Sequence, residues 1–194
     1  MTRSWLSPLG LLLLLSLSLA PAGLAAEKEK KPTEPNTEPK LAAAKTAVQR
    51  LGGTGAWSAY LYREKSGRVC YLAGAPQKSE PAKSRRRPPV AMVTHRPEEN
   101  VANVVSFAEG AALKDGSDAS LDLDGAHFDL FTKGDTAWSR TSDLDKAITE
   151  AMAKGKQAVV KATPQKGAPT TDIYSLSGFG QTLALIDKAC GIKR

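Results

Sequence analysis

Histidine and cysteine are scarce in this chain, with two of each among 194 residues. His95 and His127 stand far apart, and neither HExxH nor CxxC occurs, so the ligand spacings of zinc hydrolases and zinc knuckles are missing. No G-x-S-x-G elbow is present, and no glycine loop of the phosphate-cradling kind; Gly178-Phe179-Gly180 lacks both the length and the following lysine. Acid pairs do occur, Asp122 with Asp124 and Asp143 with Asp145, but turn chemistry and the first turn of a helix account for them. No catalytic residue, metal or cofactor is expected. Aromatic residues make up only 6 % of the chain. Trp57, Tyr60, Tyr62, Tyr71, Phe107, Phe128, Phe131, Trp138, Tyr174 and Phe179 stand at strand spacing, which predicts core positions. No run long and apolar enough to cross a bilayer follows the first two dozen residues.

Those first residues carry a different signal. Arg3 precedes an apolar stretch from Leu9 to Ala20, and small residues follow from Ala22 to Ala26. A short basic start, an apolar run below the roughly 20 residues of a spanning helix and a small-residue cleavage site together predict a secretory signal peptide over residues 1–26. Glu27 is then the mature N-terminus, and the location is periplasmic, secreted or outer-envelope associated. Removal of Arg3 lowers the formal charge from +7 to +6. The remaining basicity favours anionic surfaces without choosing among them. In an oxidising compartment the even pair Cys70 and Cys190 is expected to bridge, the alternative being two separately buried thiols.

From Glu27 to Lys40 the chain reads EKEKKPTEPNTEPK, too polar and proline-rich to order itself, and predicts a tether. Leu41, Ala44, Val48 and Leu51 fall at helical spacing before Gly52, which predicts a short amphipathic helix ending the 27–53 segment. Residues 54–194 read as one mainly β domain, an antiparallel sandwich-like structure with two short helices, the last one C-terminal. Strands are expected at Trp57–Tyr62, Arg68–Ala73, Val90–Arg96, Val101–Ala108, Ser120–Leu123, Ala126–Thr132, Thr136–Arg140, Ala158–Ala162 and Asp172–Ser175. Asp124-Gly125 marks a type I′ hairpin, and Gly134-Asp135 a second tight reversal. One helix is expected from a cap at Ser142, carrying Leu144, Ile148 and Met152 to Gly155; the other follows Ser177, carries Phe179, Leu183, Ile186 and Cys190, and stops at Gly191.

Two places invite a functional reading. Between Ala75 and Pro89 the sequence APQKSEPAKSRRRPP predicts a solvated loop whose Lys83, Arg85, Arg86 and Arg87 offer an anion contact; without interleaved aromatics it does not suggest nucleic acid. His95 ends a strand beside Arg96 and ahead of Glu98 and Glu99, a cluster suited either to a carboxylate ligand or to pairing across a strand end. His127, next to the Asp-Gly turn, reads as a surface residue.

Three stretches, MVTHRPEENVANVVSFAEG from Met92, LDGAHFDLFTKGDTAWSR from Leu123 and TTDIYSLSGFGQTLALIDKACG from Thr170, resemble the invasion-associated locus B family of exported alphaproteobacterial proteins. The resemblance spans Trp57 to Gly191. It implies a β-sandwich-like domain, an envelope location and a contribution to host-cell invasion, and it carries no catalytic motif; Cys70 and Cys190 are the residues it transfers. Some relatives have a further cysteine in the first strand, where this chain has Ser58, Ala59 and Tyr60. The expected function is therefore an exported, non-enzymatic binding module. Its partner would be an envelope or host protein or an anionic envelope polymer, with no membrane span after signal cleavage. A hydrolase with an unrecognised site and an adaptor for anionic polymers are the alternatives.

Overall fold

The computed structural model describes residues 47–82 and 85–194. The expected signal peptide, the tether, the first part of the expected helix and Lys83 lie outside the described residues. Eleven strands follow in chain order: β1 (Gln49–Thr54), β2 (Trp57–Glu64), β3 (Gly67–Gly74), β4 (Lys78–Glu80), β5 (Val90–Arg96), β6 (Val101–Ala108), β7 (Asp118–Leu123), β8 (Ala126–Lys133), β9 (Thr136–Trp138), β10 (Gln157–Ala162) and β11 (Thr170–Ser175). Helix α1 (Ser142–Lys154) separates β9 from β10, and α2 (Phe179–Cys190) closes the chain. All nine expected strands are present. The tenth and eleventh are β1 and β4, and β1 overturns part of the expected helix, because Gln49 and Arg50 pair with β2 along its free edge and Leu51 falls at a register shift within the same strand.

The strands form one antiparallel sheet in the order β1-β2-β3-β5-β6-β9-β8-β7-β10-β11-β4. Most neighbours are joined by short reversals whose residues explain them. Asp124 and Gly125 both have positive φ, 50° and 96°, and bring Leu123 opposite Ala126, as a I′ turn requires. The Asp124 carboxylate also accepts from the N–H groups of Lys156 and Gln157 at 2.7 and 3.2 Å, tying this hairpin to the start of β10.

Because side chains alternate across a strand, the register assigns every residue to a face. Ala59, Leu72, Val93 and Val105 lie in one cross-strand row, and Trp57, Gly74, Ala91, Phe107 and Ala137 in the next; all the apolar side chains of both rows are buried. A Cβ on Gly74 would come within 2.5 Å of the Trp57 ring, so the indole lies flat on this backbone. The sheet curls until its two ends face each other. Trp57 of β2 donates its Nε1–H to the Ser175 carbonyl of β11 at 2.9 Å, and the Phe107 ring stands 6.0 Å from that of Tyr174.

Both helices fill the inner side. Thr141 caps α1, accepting from the Leu144 N–H at 3.2 Å, one residue earlier than the Ser142 expected. Ile148 and Met152 bury its apolar stripe, and α1 packs on β6. Phe179, Leu183, Ile186 and Cys190 form the stripe of α2 against β1, β2 and β3, with Gly191 left-handed at its end. Cys190 reaches Cys70 of β3, at a Cα separation of 6.1 Å, and the bridge joins the last helix to the start of the sheet.

Candidate functional site

The cluster expected around His95 is divided by the strand. His95 faces inward and is fully buried, whereas Arg96 points to the opposite face. His95 Nδ1 accepts the Asn103 N–H at 2.9 Å, so the ring is the neutral tautomer that donates Nε2–H to Asp187, at 3.0 Å. Arg194 adds two more bonds to the same carboxylate, at 2.6 and 3.0 Å. Burial opposes the charge on Asp187, but these donors outweigh it and hold its pKa below the usual carboxylate range. A His–Asp pair of this kind resembles part of a catalytic triad, yet both ring nitrogens are engaged and neither has a lone pair free to take a proton from a nucleophile. The pair serves the fold. β5 and β6 slip register between Thr94 and Arg96, Asn103 takes a left-handed conformation, and the N–H groups of Asn103 and Val105 turn inward to His95 and Asp145. The remaining members of the cluster go elsewhere: Glu98 binds Arg68 at 2.9 Å, and Glu99 approaches Arg96 at 3.6 Å.

The three arginines of the expected solvated loop have three different environments. Arg87 is exposed and paired with Asp135 at 2.5 Å, and Arg85 is exposed. Arg86 corrects the expectation, for its side chain is only 4 % exposed. It enters the core between β6 and β11 and grips Asp172 with two nitrogens, at 2.7 and 2.6 Å, while Nη1 also donates to the Glu109 carbonyl at 2.9 Å and to its Oε2 at 3.1 Å. Ser79 of β4 completes Asp172 at 2.5 Å, and Thr170 donates to Glu109 Oε2 at 3.2 Å. Burial and the neighbouring Asp172 charge raise the Glu109 pKa to about 8, so this side chain is a neutral acid at pH 7. Tyr174, next to it, is pushed upward for the same reason. The cluster is thus one arginine and one aspartate in balance, with a protonated glutamate beside them.

The outer face of the same half-sheet carries side chains expected in the core. Arg50, Tyr60, Tyr71, Thr94 and Val104 form one row, and Ser58, Ala73, Met92, Ser106, Trp138 and Phe131 the next. Tyr60, Tyr62, Tyr71, Phe131 and Trp138 are only half-buried, because both helices lie on the other side. Tyr60 stacks on Tyr71 at 5.0 Å, and Tyr62 meets Tyr71 edge-on at 6.0 Å. Between them and Met92 runs a groove of about 550 Å³, flanked by Val48, which is 55 % exposed, and by Arg96. Glu64 fixes Arg96 at 2.6 Å and accepts the Tyr62 hydroxyl at 2.9 Å, which holds the groove's polar wall in place.

The family model of the Invasion associated locus B (IalB) protein matches residues 57–187. The chain belongs to this family. No curated protein matched it, and no solved structure did. The part that is IalB-like contains Cys70, the Arg86–Glu109–Asp172 cluster, the His95–Asp187 pair and nearly all of the tyrosine face, whereas β1 and Cys190 fall outside the matched residues. Among the described residues of this IalB-family chain, no three His, Cys, Asp or Glu side chains converge as a metal site would require, and no helix is long and apolar enough to cross a membrane. His127 is exposed and pairs with Asp122 at 3.0 Å.

Proposed function

We propose that this IalB-family chain is exported by its N-terminal signal peptide and acts at the cell envelope as a non-enzymatic binding protein, engaging an envelope or host-cell protein through the tyrosine face. The observation that carries this reading is the groove among Tyr62, Tyr71 and Met92, on a sheet made rigid by α2 and the disulfide behind it. Tyrosine, tryptophan, methionine and arginine are the residue types enriched where proteins dock, and the tyrosine and tryptophan rings bury much area at small cost in side-chain entropy. Here they share one face with little competing charge, because Arg96 is already neutralised by Glu64. Family membership supports an invasion-associated envelope role. A domain held on a tether would present this face at a distance from its attachment point.

The test places a photo-crosslinking residue at Thr94, in the groove, and separately at Asp129 on β8, in the protein exposed to native envelope extract and to host-cell membranes. A single protein crosslinked from Thr94 and lost in Tyr62→Ser/Tyr71→Ser supports the reading. Equal crosslinking from both positions, or capture that the tyrosine substitutions leave unchanged, overturns it.

A further inference from the structure

A second concavity lies away from the tyrosine face, where the loop before β5 meets the turn between β10 and β11. It has a volume of about 500 Å³, with apolar surface from Pro81, Ala111 and Pro164. Two cations, Arg85 and Lys166, line it, both are exposed, and neither has a carboxylate partner among the described residues. Their neighbours in the same loop differ, since Arg86 and Arg87 are each paired with an acid.

What lies beneath these cations decides the charge of the cleft. Arg86 and Thr170 form its floor, and both bind Glu109. Arg86 is balanced by Asp172, and burial favours the neutral form of Glu109, so the exposed charges lining the cleft are those of Arg85 and Lys166. The apolar walls on either side focus their field toward the cleft. A phosphate monoester carries about −1.5 to −2 at pH 7 and offers three acceptor oxygens, which matches two cationic donors better than a single carboxylate does.

We propose that this cleft binds a phosphate monoester, borne by a sugar or by a lipid headgroup, with Arg85 and Lys166 as the groups that hold its charge. The ligand's carbon skeleton rests on the proline and alanine walls. The site is independent of the tyrosine face, so a chain that docks a protein there can at the same time hold a phosphorylated component of the envelope.

The experiment is titration calorimetry of the purified, disulfide-bonded protein with a hexose phosphate and with the unphosphorylated hexose, at constant ionic strength, together with flotation on phosphatidylcholine vesicles with and without phosphatidate. Saturable binding of the hexose phosphate but not the hexose, or flotation only with phosphatidate, is the expected result, and which of the two occurs identifies the source. Arg85→Gln and Lys166→Gln should each weaken that binding about tenfold, as loss of one charged hydrogen bond does. Lys188→Gln, exposed on α2 away from the cleft, should leave it unchanged. No saturable binding in either format, or an equal loss in Lys188→Gln, overturns the proposal. The tyrosine-face test is unaffected by these substitutions, so the two readings fail separately.

Discussion

Replacing Arg86 with methionine removes the only cation from a buried cluster while keeping most of the side chain's volume. The structure sets the size of the effect. Asp172 is fully buried, and after the substitution it keeps the Ser79 hydroxyl and the neighbouring Glu109 acid but no cation. An uncompensated buried carboxylate costs about 3–5 kcal/mol, a large part of the stability of an ordinary domain. For a domain of this size that corresponds to a fall in Tm of about 10–15 °C. The contrasting variant is Arg87→Met, which breaks the ion pair to Asp135 from an arginine that is 78 % exposed and should cost less than about 1 kcal/mol. Urea denaturation followed by circular dichroism measures both. The deeper test is Arg86→Met/Asp172→Asn, where the stranded charge is gone. If the cost of Arg86→Met is mainly that charge, the double variant recovers about 2 kcal/mol or more relative to additivity. Equal losses in Arg86→Met and Arg87→Met, or strict additivity in the double variant, would refute the reasoning.

Glu109 makes stability depend on pH in an unusual direction. Its pKa is raised to about 8 in the folded state against 4.5 for the ordinary group, so between these values the native chain holds a proton that the unfolded chain has released. Its contribution is therefore complete below pH 4.5 and declines as pH rises to about 8, by up to about 1.4 kcal/mol per pH unit. Denaturation midpoints measured from pH 6 to 8 should fall in the native sequence and stay level in Glu109→Gln; parallel slopes would contradict the assignment. The Cys70–Cys190 bridge spans a sequence separation of 120, and closing such a loop contributes about 5 kcal/mol on the chain-entropy model. Reduction, and equally Cys70→Ala/Cys190→Ala, should lower Tm by roughly 15 °C, read by calorimetry, and a change of only a degree or two would rule that contribution out.

Legibility in the sequence followed the distance over which each feature is determined. The Asp124-Gly125 hairpin, the Gly134-Asp135 reversal and the stripes of α1 and α2 depend on residues within a few positions of one another, and each stands where the pattern placed it. Arg86 did not follow its local surroundings. In SRRRPP it looks like one of three solvated charges, but its partners Glu109 and Asp172 lie 23 and 86 residues away. The same holds for His95, whose neighbours in sequence are Arg96, Glu98 and Glu99 and whose partner in space, Asp187, is 92 residues distant. Leu41 to Leu51 carried a helical spacing, yet Gln49 and Arg50 pair with the edge of β2. The acids that receive Arg86 were visible in the sequence, Glu109 just after β6 and Asp172 within β11, though no local rule pairs them with it.

The tyrosines show where sequence reasoning stops. Alternation in β2, β3 and β5 separates their residues into two sets, both apolar enough to be core, and the expectation of core positions took in the tyrosines. Which set faces inward depends on where α1 and α2 pack, and they cover the side of Ala59, Leu72 and Val93. By itself, the amino-acid sequence determined the β-rich class, the hairpins, the helices and the family, because periodicity and turn chemistry act within a few residues. Only the tertiary structure decided that Arg86 and His95 are buried supports, that Arg85 and Lys166 share a cleft, and that the tyrosines form an open face, because burial and charge environment depend on contacts between residues far apart in the chain.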